Sequence, residues 1–172
     1  MARPDRPITS MEDRTVVITG ANSGIGLETA AALAGAGARI VMGCRNPVTA
    51  AAAVEQVRRR SGNDAVETHS LDLSDLAHVR RFAAELASLD RIDVLVNNAG
   101  LMLDQRQESA QGHEATFATN HLGPFLLTSL LTEQVVAAPH GRMVNVASLA
   151  HRMAPRGIDW EDSDRRRRYL GW

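Results

Sequence analysis

The chain is 172 residues long, enough for one domain around a single buried core and too short for two full ones. Hydrophobic residues make up 44% and charged residues 23%, and the formal net charge is -1, so no global field recruits nucleic acid or an acidic membrane. All 19 basic residues are arginine, which excludes Schiff-base catalysis and the lysine-bearing phosphate loop, while a single cysteine, Cys44, excludes an intramolecular disulfide and a thiolate metal cluster.

The opening "MARPDRPITSMEDR" has no apolar core, and no segment reaches ~20 uninterrupted apolar residues, so neither a signal peptide nor a membrane span is expected. With one unpaired cysteine, this points to the cytoplasm. Residues 1–13 read as a flexible arm and residues 14–172 as a single domain. "RTVVITG" is a β-branched run ended by glycine, the pattern of a fully buried strand. "SGIGLETAAALAGAGA" is rich in alanine and leucine and predicts a helix that Gly35 and Gly37 stop. "RIVMGC" predicts a second strand. Asn46 then stands as N-cap and Pro47 at the first helical position, with Gly62 just beyond "RRRS" to end the helix.

"AVETHSL" predicts a third strand, and "SDLAHVRRFAAELASL" a third helix capped by Ser74. "IDVLVNNAG" is a fourth strand running into a turn. A loop, "LMLDQRQESAQG", leads to a longer helical region from about His113 to Ala138, and "GRMVNVAS" is a fifth strand. Strict alternation predicts an α/β fold, a parallel sheet with helices on both faces. After Ser148 the periodicity fades into a polar tail ending "DSDRRRRYLGW".

"TGANSGIG" sets Gly20, Gly24 and Gly26 between the first strand and the first helix. Glycines there let the backbone approach a ligand, and the helix N-terminus offers N–H groups and partial positive charge to a pyrophosphate. The alternative is a plain tight turn, which the position at a strand–helix junction makes the weaker reading. A dinucleotide site of the NAD type carries an acidic residue about 20 positions beyond the turn, to hold the ribose 2'-hydroxyl. Here that region reads "MGCRNP", with Arg45 and no carboxylate, so a 2'-phosphate is favoured and NADP(H) preferred over NAD(H); otherwise Arg45 is a solvated loop residue.

"TGANSGIG", "LDL", "NNAG", "NHLG" and "VNVAS", in that order, resemble the short-chain dehydrogenase/reductases. "CRNP", "FATNHLGPFLLTSLL" and "VNVASLAHR" are similar to the retinol dehydrogenase and protochlorophyllide reductase-like branch. The resemblance implies a Rossmann-like doubly wound parallel sheet in strand order 3-2-1-4-5, incomplete at the C-terminal side, and hydride transfer between NADP(H) and a small carbonyl or alcohol substrate. It gives Gly20, Asn22, Ser23, Gly24, Ile25 and Gly26 to the cofactor turn and Arg45 to the 2'-phosphate. Asp72, with Leu73 beside it, would hold the adenine amino group, the alternative being a cap for the helix near Ser74. Asn98, Ala99 and Gly100 would line the cofactor and steady the sheet.

By the same resemblance Asn120 and Ser148 belong to the catalytic set, Asn120 holding a water in the proton path and Ser148 bonding the substrate oxygen. The family's proton-transferring tyrosine needs a lysine four residues on, because a phenol titrating near ~10 requires an adjacent cation to act near neutral pH. Tyr169 lacks that lysine and matches a noncatalytic tyrosine of the branch's "RYxGWxAY" phrase. The chain is therefore expected to be a C-terminally truncated dehydrogenase, its sheet incomplete, inactive alone and prone to self-association through exposed apolar surface. The alternative is a noncatalytic NADP-binding or interaction protein derived from that fold.

His69, His78, His113, His121, His140 and His151 show no ligand spacing, and no metal site is expected. "RRR" at 58–60 and "RRRR" at 165–168 read as solvated or dipole-complementing runs, not as nucleic-acid contacts. Asp159, Glu161, Asp162 and Asp164 are expected to pair with the second of these runs.

Overall fold

Five β-branched or apolar strands line up side by side in a computed structural model that describes residues 10–149, 157, 159–167 and 169. They are β1 (Thr15–Thr19), β2 (Arg39–Cys44), β3 (Val66–Ser70), β4 (Val94–Asn97) and β5 (Arg142–Asn145), all parallel in the expected order β3-β2-β1-β4-β5. The expected helices follow: α1 (Gly24–Gly35), α2 (Pro47–Ser61) and α3 (Leu76–Glu85). Residues 1–9 of the N-terminal arm, His151, Arg168 and most of the tail beyond Leu149 lie outside the described residues.

Because side chains alternate along a strand, each strand feeds two cores. Val16, Ile18, Ile40 and Met42 face one side, where the alanines of α1 and α2 let both helices lie close to the sheet. Val17, Val41 and Leu95 face the other side, where Phe82 of α3 packs with Leu127 and Leu131. Met11 is packed on the first of these cores, and its N–H donates to the Ala36 carbonyl at 2.8 Å.

The helix ends match their signals where the signal is local. Asn46 accepts from the N–H groups of Val48 and Thr49, and Gly62 sits in the left-handed region at φ 69°. One expectation is corrected. The third helix is capped by Asp75, which accepts from Ala77 N–H at 2.9 Å; Ser74 is held by the Asp72 carboxylate instead. The helical region expected from about His113 to Ala138 is present, built of α4 (Ala115–Phe117), a π-helical turn (Ala118–Leu122), α5 (Gly123–Leu130) and α6 (Thr132–Ala137). Gly123 is where α5 meets the chain after β3: a Cβ there would run into the Leu73 carbonyl, so the close approach depends on the missing side chain.

Candidate functional site

A cleft opens at the C-terminal ends of the strands, where β1 lies between β2 and β4 and the chain departs in opposite directions. In an open parallel sheet this is the place for a ligand. Gly20 and Asn22 border it from β1, Gly43 and Arg45 from β2, Asp72 and Leu73 from β3, and Ala99, Gly100 and Leu101 from β4. Seven of the twelve residues expected at the cofactor thus face one space.

The walls are pinned by backbone and side-chain bonds between distant segments. Gly20 has φ +65°, and a Cβ on it would lie 2.9 Å from Ala99, so the two turns touch only because it is glycine. Its N–H donates to Gly43 O at 2.8 Å. Thr19, fully buried, accepts at its hydroxyl from the N–H groups of Asn98 and Ala99, both at 3.0 Å. Asn98 turns its amide inward and donates to Thr19 O at 2.9 Å, so it braces the cleft and does not line it. Gly26 serves packing likewise: a Cβ there would sit 2.5 Å from the Asn98 amide nitrogen and the Gly20 carbonyl.

The start of α1 differs from those of α2 and α3. Ser23, its N-cap, makes no side-chain cap bond. Gly24 has φ +54° with open space where a Cβ would stand, and Ile25 is 69% exposed. In α2 and α3, by contrast, Asn46 and Asp75 take up first-turn amides. The N-terminus of α1 therefore keeps N–H groups and partial positive charge for an external anion.

At the tip of β2, Arg45 is exposed and borders the cleft. Cys44 before it is buried, and burial pushes its thiol up although the backbone N–H groups of Ala21 and Asn22 point at the sulfur. It packs the glycine turn and offers no accessible nucleophile. Across the cleft the Asp72 Oδ1 accepts from Ser74 N–H at 2.9 Å and from the Ser74 hydroxyl at 2.6 Å, and Asp72 N–H donates to His78 Nδ1 at 3.1 Å. Its expected alternative, capping α3, belongs to Asp75.

Asn120 sits at the centre of the π-helical turn, a distortion that recurs at functional sites. Its Nδ2 donates to Leu101 O at 2.8 Å and its Oδ1 accepts from Leu101 N–H at 2.9 Å, so the side chain clamps the loop after β4. It lines a second groove, with His121, Phe125, Asn145 and Val146. Beneath it Asn97 donates to both Thr128 Oγ1 and Asn145 Oδ1 at 2.9 Å, tying β4 to β5 and α5. Ser148 is exposed just beyond β5. Tyr169 donates its hydroxyl to Leu103 O at 2.8 Å.

Acids of the tail make mostly backbone bonds. Asp162 accepts from the N–H groups of Arg166 and Arg167, and Asp164 from Glu114 N–H. Among the described residues the expected charge pairing is seen in Asp164 with Arg166 at 3.8 Å and in Asp162, whose carboxyl is pushed up by burial but held below its ordinary value by those N–H groups and the charges of Arg167 and Arg165. In the first arginine run Arg60 holds Glu28 with two bonds, at 2.8 and 2.6 Å. Among the described residues no three His, Cys, Asp or Glu side chains gather as a metal site, and no helix is long and apolar enough to cross a membrane.

The sequence reading missed Thr19, Asn97 and Leu101. Thr19 immediately precedes the first glycine of the turn, and its adjacency was the only local signal. The partners of all three are brought in by the fold.

The family described as short chain dehydrogenase matches residues 14–158. Human retinol dehydrogenase 13 is 41% identical over 150 residues, covering 87% of this chain and 45% of its own length. Human retinol dehydrogenase 12 is 40% identical over 165 residues, covering 95% and 52%. The chain thus spans about half the length of the curated relatives it matches. Among solved structures, an uncharacterized protein from Mycobacterium paratuberculosis superposes with TM-score 0.80 at 40% identity, over 95% of this chain and 56% of that one. A short chain dehydrogenase from Escherichia coli CFT073, complexed with NADPH, gives TM-score 0.72 at 26% identity, over 82% and 61%. With its glycine turn at the switch point of the sheet and these relatives on either side, the chain belongs to the short-chain dehydrogenase/reductase family, on its retinol dehydrogenase-like branch.

Proposed function

We propose that the cleft binds NADP(H) in preference to NAD(H), and that the chain carries the cofactor half of an oxidoreductase acting on a small carbonyl or alcohol. The observation that carries this reading is a cleft bordered by Arg45 and by Asn22, the residue just before the N-cap Ser23 of α1, whose side chain leaves the first-turn amides uncapped. A pyrophosphate at Ser23–Gly26 would receive the first-turn amides, and the Arg45 guanidinium would pair with a 2'-phosphate. Asp72, with Leu73 beside it, would hold the adenine amino group, and Ala99 and Gly100 would lie against the cofactor. The NADPH-bound neighbour lends weight to this choice without deciding between the nucleotides. When bound, the nicotinamide supplies or takes the hydride. Ser148 would bond the substrate oxygen, and Asn120 would hold the loop that borders both spaces.

Arg45→Ala is expected to weaken NADPH at least ten-fold, about the 1.5–3 kcal/mol of a charge-assisted hydrogen bond, and NADH less than two-fold. Fluorescence titration measures both, and equal losses for the two nucleotides overturn the 2'-phosphate assignment.

A second reading, a nucleotide-binding protein that performs no chemistry by itself, is favoured by one feature. Tyr169 spends its hydroxyl on the Leu103 carbonyl, and the 172 residues contain no lysine to pair with a phenolate. This chain alone is expected to bind NADPH and to show no turnover of retinoid, steroid or simple carbonyl substrates. Turnover that Ser148→Ala abolishes would overturn this expectation.

A further inference from the structure

We infer that Thr49 is a positioning residue for the 2'-phosphate end of the cleft, an assignment that rests on the NADP(H) reading above. The Asn22 side-chain amide in the glycine turn donates to the Thr49 hydroxyl at 3.1 Å, and that hydroxyl donates to the Asn46 carbonyl at 3.2 Å. A single hydroxyl thus joins the turn after β1 to the turn after β2. Asn22 and Arg45 are the polar side chains these two turns bring to the cleft. With the bridge in place, the Asn22 side chain and the backbone next to Arg45 are held at one spacing before any ligand arrives.

The first turn of α2 has few amides to spare for an anion there. Pro47, at its first position, has no N–H, and the amides of Val48 and Thr49 are both taken by Asn46 Oδ1, at 2.9 and 3.2 Å. Recognition of a 2'-phosphate at this edge therefore falls to side chains, and their placement falls to Thr49. Threonine can receive from Asn22 while donating to Asn46; valine has the same shape and does neither; serine does both.

The test compares NADPH and NADH dissociation constants, by fluorescence titration of the full chain, for wild type, Thr49→Val, Thr49→Ser and Asn22→Ala. Thr49→Val is expected to weaken NADPH about five-fold, the equivalent of one ordinary hydrogen bond, and NADH by less than two-fold. Thr49→Ser should restore the wild-type ratio. Asn22→Ala should lower the NADPH preference as Thr49→Val does, and the double variant should lose no more than either single one. If Thr49 only stabilises the helix start, the melting temperature falls while the NADPH-to-NADH ratio stays at the wild-type value, and the assignment is overturned. Additive losses in the double variant overturn it as well, and should Thr49→Val not fold, Asn22→Ala with Thr49→Ala decides the same question. Wild-type protein that binds neither nucleotide overturns the cofactor reading and this one with it. Wild-type preference for NADPH that survives in Thr49→Val overturns this one alone.

Discussion

Asp93, whose side chain is only 1% exposed, lies at the N-terminal end of β4, on the far side of the sheet from the cleft. Burial pushes its carboxyl up, but the Thr15 N–H at 2.9 Å and the guanidinium groups of Arg14 at 3.1 Å and Arg91 at 3.4 Å outweigh it and hold the group below its ordinary value. A depressed carboxylate contributes stability above its unfolded pKa of ~3.9, which is lost as pH falls through the lower folded value. Asp93→Asn is expected to cost about 1–3 kcal/mol near neutral pH and to flatten the loss of stability below about pH 4, measured by urea unfolding at several pH values. Neither Asp93 nor Thr19 stood out in the sequence. Arg45 did, because its meaning depends on a spacing that can be counted along the chain.

Among the elements, α1 and the π-helical turn do most to shape the two spaces. α1 must come close to the turn after β4, and Gly26 permits this, since any Cβ would sit 2.5 Å from both the Gly20 carbonyl and the Asn98 amide. Backbone cannot yield as a flexible side chain can, so Gly26→Ala is expected to destabilise the chain by about 1–3 kcal/mol. A lower midpoint in thermal unfolding, with a matching loss of nucleotide binding, is the outcome to look for. The region from about His113 to Ala138 was legible as helical, and its interruption has a local signal in Gly123–Pro124, since proline offers no N–H to the carbonyl of Asn120 four residues back. At that turn the Asn120 side chain grips Leu101, 19 residues back along the chain. Asn120→Ala should release this clamp and raise amide exchange in the loop from Leu101 onward, leaving the exchange of β1 and β2 unchanged.

At the scale of the whole molecule the two sides of the sheet end differently. On the β3 side, Arg39 of β2 bonds Glu67 at 2.7 Å and His69 bonds Glu85 at 2.9 Å, a polar finish. On the β5 side, Val144, Val146, Phe125 and Val136 are 44%, 46%, 70% and 75% exposed. Apolar side chains in that number favour contact with another surface. Sedimentation is expected to show association that increases with protein concentration, and the pair Phe125→Ser with Val136→Glu is expected to reduce it.

The sequence by itself determined which segments are strands and which helices, that the sheet they form is parallel, and the place of the glycine turn. Those properties follow from alternation, from composition and from punctuation such as Asn46, Pro47 and Gly62, all of which act within a few residues. The tertiary structure alone decided which side chains face the cleft and which brace it, separating Arg45 and Asp72 from Asn98 and Gly26. It also decided that α1 stays uncapped while its neighbours do not. The reason is physical: Thr19 meets Asn98 and Ala99 across 79 and 80 residues of chain, and Asp93 meets Thr15 across 78, distances over which only folding brings donor and acceptor together.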